Sequence, residues 1–196
     1  MFTAAAAFLA VWTAISGYTC TITVHEIKGS VIQDRTYRYA YLKPHYAKFE
    51  IVAGPGRGNG EVWTGGLTVT GRQGGFVGFF SNFFNVFRHR VSMYDPGAVD
   101  LRGETIVGAS FADVADELDN APSVASDEAT IDGVVTDAVT FPYTDDAGAT
   151  RRIVYLSRVT HLPVRRVTYA GDTIVETEDF QNVDTAAKLS PAAFRG

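Results

Sequence analysis

The chain contains a single cysteine, Cys20, in 196 residues, so neither an intrachain disulfide framework nor a thiolate metal cluster can form. Nowhere do Lys and Arg run beyond a pair, and the net charge is −5. Nucleic acid is thereby excluded as an expected partner, because nothing supplies the basic footprint a phosphate backbone requires. No apolar run is long enough to cross a bilayer as a helix. The glycine loop GPGRGNG, residues 54–60, lacks the Gly-Lys-Ser/Thr ending of a phosphate loop and reads as a hairpin connection. No Gly-x-Ser-x-Gly elbow is present, and Cys20 sits mid-strand beside Ile22 and Val24 as a small buried hydrophobe. His25, His45, His89 and His161 fall in separate elements without metal-ligand spacing and read as surface or rim residues. The adjacent carboxylates Asp145/Asp146 and Glu178/Asp179 read as turn and solvent-face residues, since strand neighbours point to opposite faces and cannot act as a catalytic pair. No enzyme, cofactor or metal is therefore expected. A cofactorless enzyme would need a polar cluster inside the fold, and none is visible.

What is present is apolar surface: 46% of the chain is hydrophobic, enough to bury one core, and a single domain over residues 1–196 is expected. Residues 1–16 admit two readings. AAAAFLAVWTAIS is apolar enough for a signal-peptide core, but it lacks a basic n-region, and Thr19 precedes Cys20 where a lipoprotein signal would have a small residue. The favoured reading is an amphipathic helix, Ala4–Ser16, with Ala5, Phe8, Leu9, Trp12 and Ile15 on one stripe, ended by Gly17.

From Tyr18 the period becomes two. Cys20, Ile22 and Val24 share a face, Lys28-Gly29-Ser30 turns the chain, and Tyr37, Tyr39 and Tyr41 line the return strand, which stops at Lys43-Pro44. Ala47, Phe49 and Ile51 mark another strand, and EVWTGG and LTVTG two more around Gly65-Gly66. Phe76, Phe79, Phe80, Phe83, Phe84 and Phe87 recur at helical spacing, predicting a helix over Phe76–Phe87. This stripe has three readings: core filling, the wall of an apolar cavity for acyl chains, or a membrane-interface face flanked only by Arg88, His89 and Arg90. Ser110 caps a short helix, Ser110–Leu118, whose apolar side is Phe111, Val114, Ala115 and Leu118. Residues 120–129, NAPSVASDEA, read as a linker-like loop. One long strand then carries Ile131, Gly133, Val135, Val139, Phe141 and Tyr143 to a hairpin at Asp145-Asp146-Ala147-Gly148. TRRIVYL, a corner at SRVTHLP, VRRVTY, a turn at Ala170-Gly171-Asp172 and TIVETEDF complete an antiparallel meander.

The run YLSRVTHLPVRRVTY, the sequence FQNVD and the final LSPAAF resemble the C-terminal half of the LolA/LolB-like family, the periplasmic lipoprotein carriers and their relatives. The resemblance implies an α+β fold: a strongly curved antiparallel sheet of about ten strands forming an unclosed β-barrel, its concave face covered by two or three helices. It implies a non-enzymatic extracytoplasmic carrier that binds a lipid, or the acyl chains of a lipoprotein, in an apolar cavity and exchanges it with a membrane-anchored donor or acceptor. Candidate cavity and lid residues are Phe8, Trp12, Tyr39, Tyr41, Phe49, Trp63, Phe76, Phe79, Phe80, Phe83, Phe84 and Phe87. In the carriers an arginine before a strand-end proline helps close the lid. Lys43 holds that place here, retaining the charge without the planar fork, and is either a latch or a solvated strand-end lysine. The alternative function is a sensor or adaptor that holds a partner protein on the same half-barrel in envelope signalling.

Overall fold

The computed structural model describes residues 3–72 and 88–195. Helix α1 (Ala4–Ala14) is followed by β1 (Gly17–Lys28), β2 (Val31–Leu42), β3 (Tyr46–Ala53), β4 (Gly60–Trp63), β5 (Thr68–Arg72) and β6 (Arg88–Ser92). Helix α2 (Phe111–Asn120) leads to β7 (Ala125–Ile131), β8 (Val134–Pro142), β9 (Arg151–Ser157), β10 (Pro163–Ala170) and β11 (Thr173–Asp184), and a 3₁₀ turn over Pro191–Phe194 ends the fold. Among the described residues the strands form one sheet of eleven in the order β6-β5-β4-β3-β2-β1-β11-β10-β9-β8-β7, with antiparallel pairs throughout. The two end strands do not pair, so the barrel stays unclosed, as the resemblance implies.

Most local expectations hold. Cys20, Ile22 and Val24 are buried on one face of β1, and Tyr39 and Tyr41 on the matching face of β2. Glycine is required at position 54, where φ is +89° and a Cβ would lie 2.1 Å from the Asp34 carbonyl oxygen. Helix α1 stops at Ala14, short of Ser16. Ser110 caps α2, its side chain accepting a bond from the Asp113 N–H at 3.2 Å. Replacing Ser110 by Ala is expected to cost about 1 kcal/mol, read as a lower urea midpoint at unchanged slope.

Two expectations fail at β7. Residues 125–129 belong to a strand rather than a linker, and the single long strand expected beyond it is a hairpin, with Asp132 and Gly133 between β7 and β8. Strand β7 lies at a sheet edge and is almost wholly exposed. Its Ser, Asp and Glu content is what an unpaired edge tolerates, and it hides the strand signal. The helix expected over Phe76–Phe87 lies outside the described residues.

The core fills the concave face at one end of the sheet. Phe111 of α2 stacks on Tyr18 at 4.2 Å between ring centroids and meets Phe180 edge-on at 5.3 Å. The Tyr18 hydroxyl accepts a bond from the Phe111 N–H at 2.9 Å, and the Tyr39 hydroxyl donates to the Ile106 carbonyl at 2.9 Å. Phe8 of α1 is fully buried in the same cluster. On the outer face the C-terminal turn buries Phe194 near Tyr46 of β3, ring centroids 5.6 Å apart.

Candidate functional site

Strand register arranges the concave face in rows. One runs Tyr18, Tyr41, Ala47, Trp63, Val69 and Val91 across β1 to β6. The next runs Cys20, Tyr39, Phe49, Glu61, Gly71 and His89. Beyond Ile22, Tyr37 and Ile51 the chemistry changes. Val154, Arg166, Glu178, Val24 and Arg35 lie side by side from β9 to β2, and Arg152, Thr168, Glu176, Glu26 and Gln33 follow them. One end of the half-barrel is therefore aromatic and aliphatic, and the other is ionic.

A cleft of about 400 Å³ spans this change. The segment carrying Ala98 and Ile106 forms one side, and β1 to β6 form the other. Tyr37, Tyr39, Phe49, Ile51, Val91 and Ile106 supply apolar wall, with Tyr37 and Phe49 in edge-to-face contact at 5.2 Å. Glu61, Glu178, Glu104 and Arg35 also reach it. Arg35 is held by the Pro55 carbonyl, to which its Nε donates at 3.0 Å. Burial pushes the Glu61 carboxyl up to about 8, against the opposing pull of Arg35, and its Oε2 is buried without a hydrogen-bond partner among the described residues.

Beneath the ionic end, two arginines are sunk among carboxylates. Arg166, fully buried, bonds Glu178 through Nε, the Gly108 carbonyl at 3.0 Å, Asp113 at 3.2 Å and Glu104 at 2.6 Å. Arg152 bonds Glu117, Glu104 at 3.2 Å, Glu176 at 3.2 Å and the Thr168 hydroxyl at 3.0 Å, and lies over the Tyr143 ring at 3.7 Å. Burial works against the charge on Arg166, but Glu104, Glu178 and Glu117 overcome it and hold its pKa well above normal. Burial pushes Glu178 up, more strongly than Arg166 pulls it down. Arg102 donates to Asp145 at 2.6 Å and to the Ile27 carbonyl at 2.8 Å.

Three sequence expectations are corrected here. A polar cluster does stand inside the fold. Glu178 faces that interior rather than solvent, although Asp179 does point the opposite way, to Arg165. Asp145 keeps its turn role, accepting bonds from the Ala147 and Ala149 N–H groups, but it is also the partner of buried Arg102. The pattern escaped sequence reading because β10 and β11 invert the usual rule: Val167 and Val175 occupy the outer face while Arg166, Glu176 and Glu178 point inward.

Among the candidate cavity residues, Tyr39 and Phe49 line the cleft. Phe8, Trp12 and Tyr41 cluster instead around α1, with Trp12 at 5.8 Å from Tyr41 and 6.4 Å from Tyr18. Trp63, on the same row as Tyr41, donates its indole N–H to the Gly66 carbonyl at 2.9 Å. Lys43 ties the end of β2 to α1: its ammonium donates to the Trp12 carbonyl and lies 3.9 Å from the Trp12 ring centre. Phe76, Phe79, Phe80, Phe83, Phe84 and Phe87 lie outside the described residues. Among the described residues no helix is long and apolar enough to cross a membrane.

No protein-family model matches the sequence, and no curated protein matches it in sequence. Solved structures do resemble it. A conserved protein from Thermus thermophilus aligns with TM-score 0.59 and 11% identity over 98% of this chain and 93% of its own. MucB aligns with TM-score 0.52 and 11% identity over 98% of this chain, which spans 62% of MucB. A LolA superfamily protein from Nitrosomonas europaea aligns with TM-score 0.45 and 10% identity over 100% of this chain and 99% of its own. At these identities the likeness to the Thermus protein and to MucB is one of fold.

Proposed function

We propose that the chain is a non-enzymatic, extracytoplasmic carrier that holds a lipid, or the acyl chains of a lipoprotein, in the concave cleft. The observation that carries this reading is the cleft itself: its volume is within the range of small-molecule sites, with aromatic and aliphatic walls and a few convergent polar groups. Each methylene that leaves water against Tyr37, Phe49 and Ile51 contributes about 0.8 kcal/mol, so an acyl chain gains affinity without a specific polar bond. The charged end of the cleft then meets the polar head. Phe80 and Phe83 are proposed as ligand-binding residues from the sequence alone, and Lys43 is the proposed latch on α1.

The test is native mass spectrometry with organic extraction, followed by titration with a fluorescent long-chain fatty acid. Near-stoichiometric lipid is expected, and Phe49→Ser is expected to weaken the probe by about tenfold or more with unchanged circular dichroism. A clean protein that refuses the probe overturns the carrier. The second reading, an adaptor for a partner protein, is favoured by the exposed edge strand β7, whose free backbone groups can add a strand from another chain. A folded, lipid-free protein that binds an extended peptide would select it.

A further inference from the structure

Glu26 of β1 and Glu176 of β11 are directly opposed in the antiparallel register and both point into the ionic end of the half-barrel. They are 0% and 2% exposed. Like charges in that position repel, and the repulsion is strongest where water is excluded. Asp100 approaches from the segment before α2, and one carboxylate oxygen from each of the three lies within 4.8 Å of the others.

The protein orients these groups without satisfying them. Asp100 Oδ1 accepts the N–H groups of Arg102, Gly103 and Glu104 at 3.0, 2.8 and 2.7 Å. Glu26 Oε1 accepts the Arg102 N–H at 3.2 Å, and Glu176 Oε2 accepts from Thr168 at 2.7 Å and Arg152 at 3.2 Å. The second oxygens, Glu26 Oε2 and Glu176 Oε1, are buried with no hydrogen-bond partner among the described residues. Each buried glutamate thus has one oxygen fixed by the protein and one left over, as when outer partners aim a carboxylate at an ion. Arg102, two residues from Asp100, sends its guanidinium elsewhere, to Asp145 and the Ile27 carbonyl.

We infer that Glu26, Asp100 and Glu176 form a binding site for a hard divalent cation, Ca²⁺ by size. An all-oxygen donor set excludes soft ions. Ca²⁺ bonds of about 2.4 Å hold ligand oxygens no more than about 4.8 Å apart, and the three carboxylate oxygens lie within that limit. A second opening of about 270 Å³, lined by Gly103, Glu104, Asp146 and Arg152, reaches Glu176, and Asp100 lines the larger cleft, so two of the three carboxylates border open space. A cation here would bridge β1, β11 and the segment before α2, closing one end of the half-barrel. The site adjoins the cleft through Asp100, but the inference does not rest on the cleft carrying a lipid.

The test is calorimetric titration of the chelator-treated, full-length protein with CaCl₂, and urea unfolding with CaCl₂ against chelator. Binding of one Ca²⁺ per chain and a higher unfolding midpoint in Ca²⁺ are expected. Glu26→Gln and Asp100→Asn should each weaken Ca²⁺ by at least about tenfold, while Glu61→Gln, a buried acid elsewhere on the face, should leave it unchanged. Because Glu26→Gln removes a repelling charge, it should fold at least as well as the parent in chelator. No Ca²⁺ uptake by the folded parent at millimolar metal overturns the inference, as does uptake that survives both substitutions.

Discussion

Replacing Arg166 by methionine is expected to destabilise the protein by about 3–5 kcal/mol, the cost of leaving a buried charge without its partner. The side chain is fully buried and serves four acceptors on three separate parts of the fold: Glu178 of β11, Asp113 of α2, and Glu104 and the Gly108 carbonyl before α2. Removing it strands Glu178, itself almost wholly buried, beside Glu104. Urea unfolding with linear extrapolation reads the loss. Arg166→Met combined with Glu178→Met should recover much of it, because two apolar groups of similar shape need no pairing. A single-mutant loss below about 1 kcal/mol would mean that water reaches the network and that the ion pairs behave as surface pairs.

Stability is expected to fall as pH rises, with Glu61 supplying much of the slope. Its folded pKa of about 8 stands above the ordinary glutamate value of about 4.3. Between those values the folded chain holds a proton that the unfolded chain has released, so the contribution is complete below about 4.3 and is lost as pH climbs to 8. Glu26, Asp100, Asp113, Glu176 and Glu178 are all pushed up, with burial the leading cause, and act in the same direction. Asp145 is lowered and opposes them: burial would raise it, but the Ala149 N–H and Arg102 outweigh that effect. Raising the pH from 5.5 to 8 should cost about 3 kcal/mol through Glu61 alone. Glu61→Gln should flatten the profile by that amount and exceed the parent in stability at pH 8. An unchanged slope in the variant would place Glu61 in contact with solvent.

The parts of this fold that obey local rules were readable in the sequence. Alternation at Cys20, Ile22 and Val24, the cap at Ser110 and the turn at Gly171 each depend on neighbours a few residues away, and each is found where expected. Long-range register was not readable. Arg152, Thr168, Glu176 and Glu26 become one row only through three separate strand pairings. Nothing within TRRIVYL or TIVETEDF says which face will be inside. In those strands Ile153 and Val175 face outward while Arg152 and Glu176 face inward, so binary patterning gives the wrong side. The aromatic cleft wall was half visible, as the alternating Tyr37 and Tyr39. Its opposite side, the segment before α2, carries no periodic signal.

The strand order also bears on how the chain acquires its structure. Strands β1 to β6 and β7 to β11 are each meanders of neighbouring strands, but they join only where β1 pairs with β11, from Gly17–Lys28 to Thr173–Asp184. That seam spans nearly the whole sequence, and closing so large a loop is entropically slow. Glu26 belongs to the first meander, and Arg152, Arg166, Glu176 and Glu178 to the second. During synthesis the leading half therefore waits with its inner edge unpaired, and the interior charges find their counterparts only after the last strand has arrived.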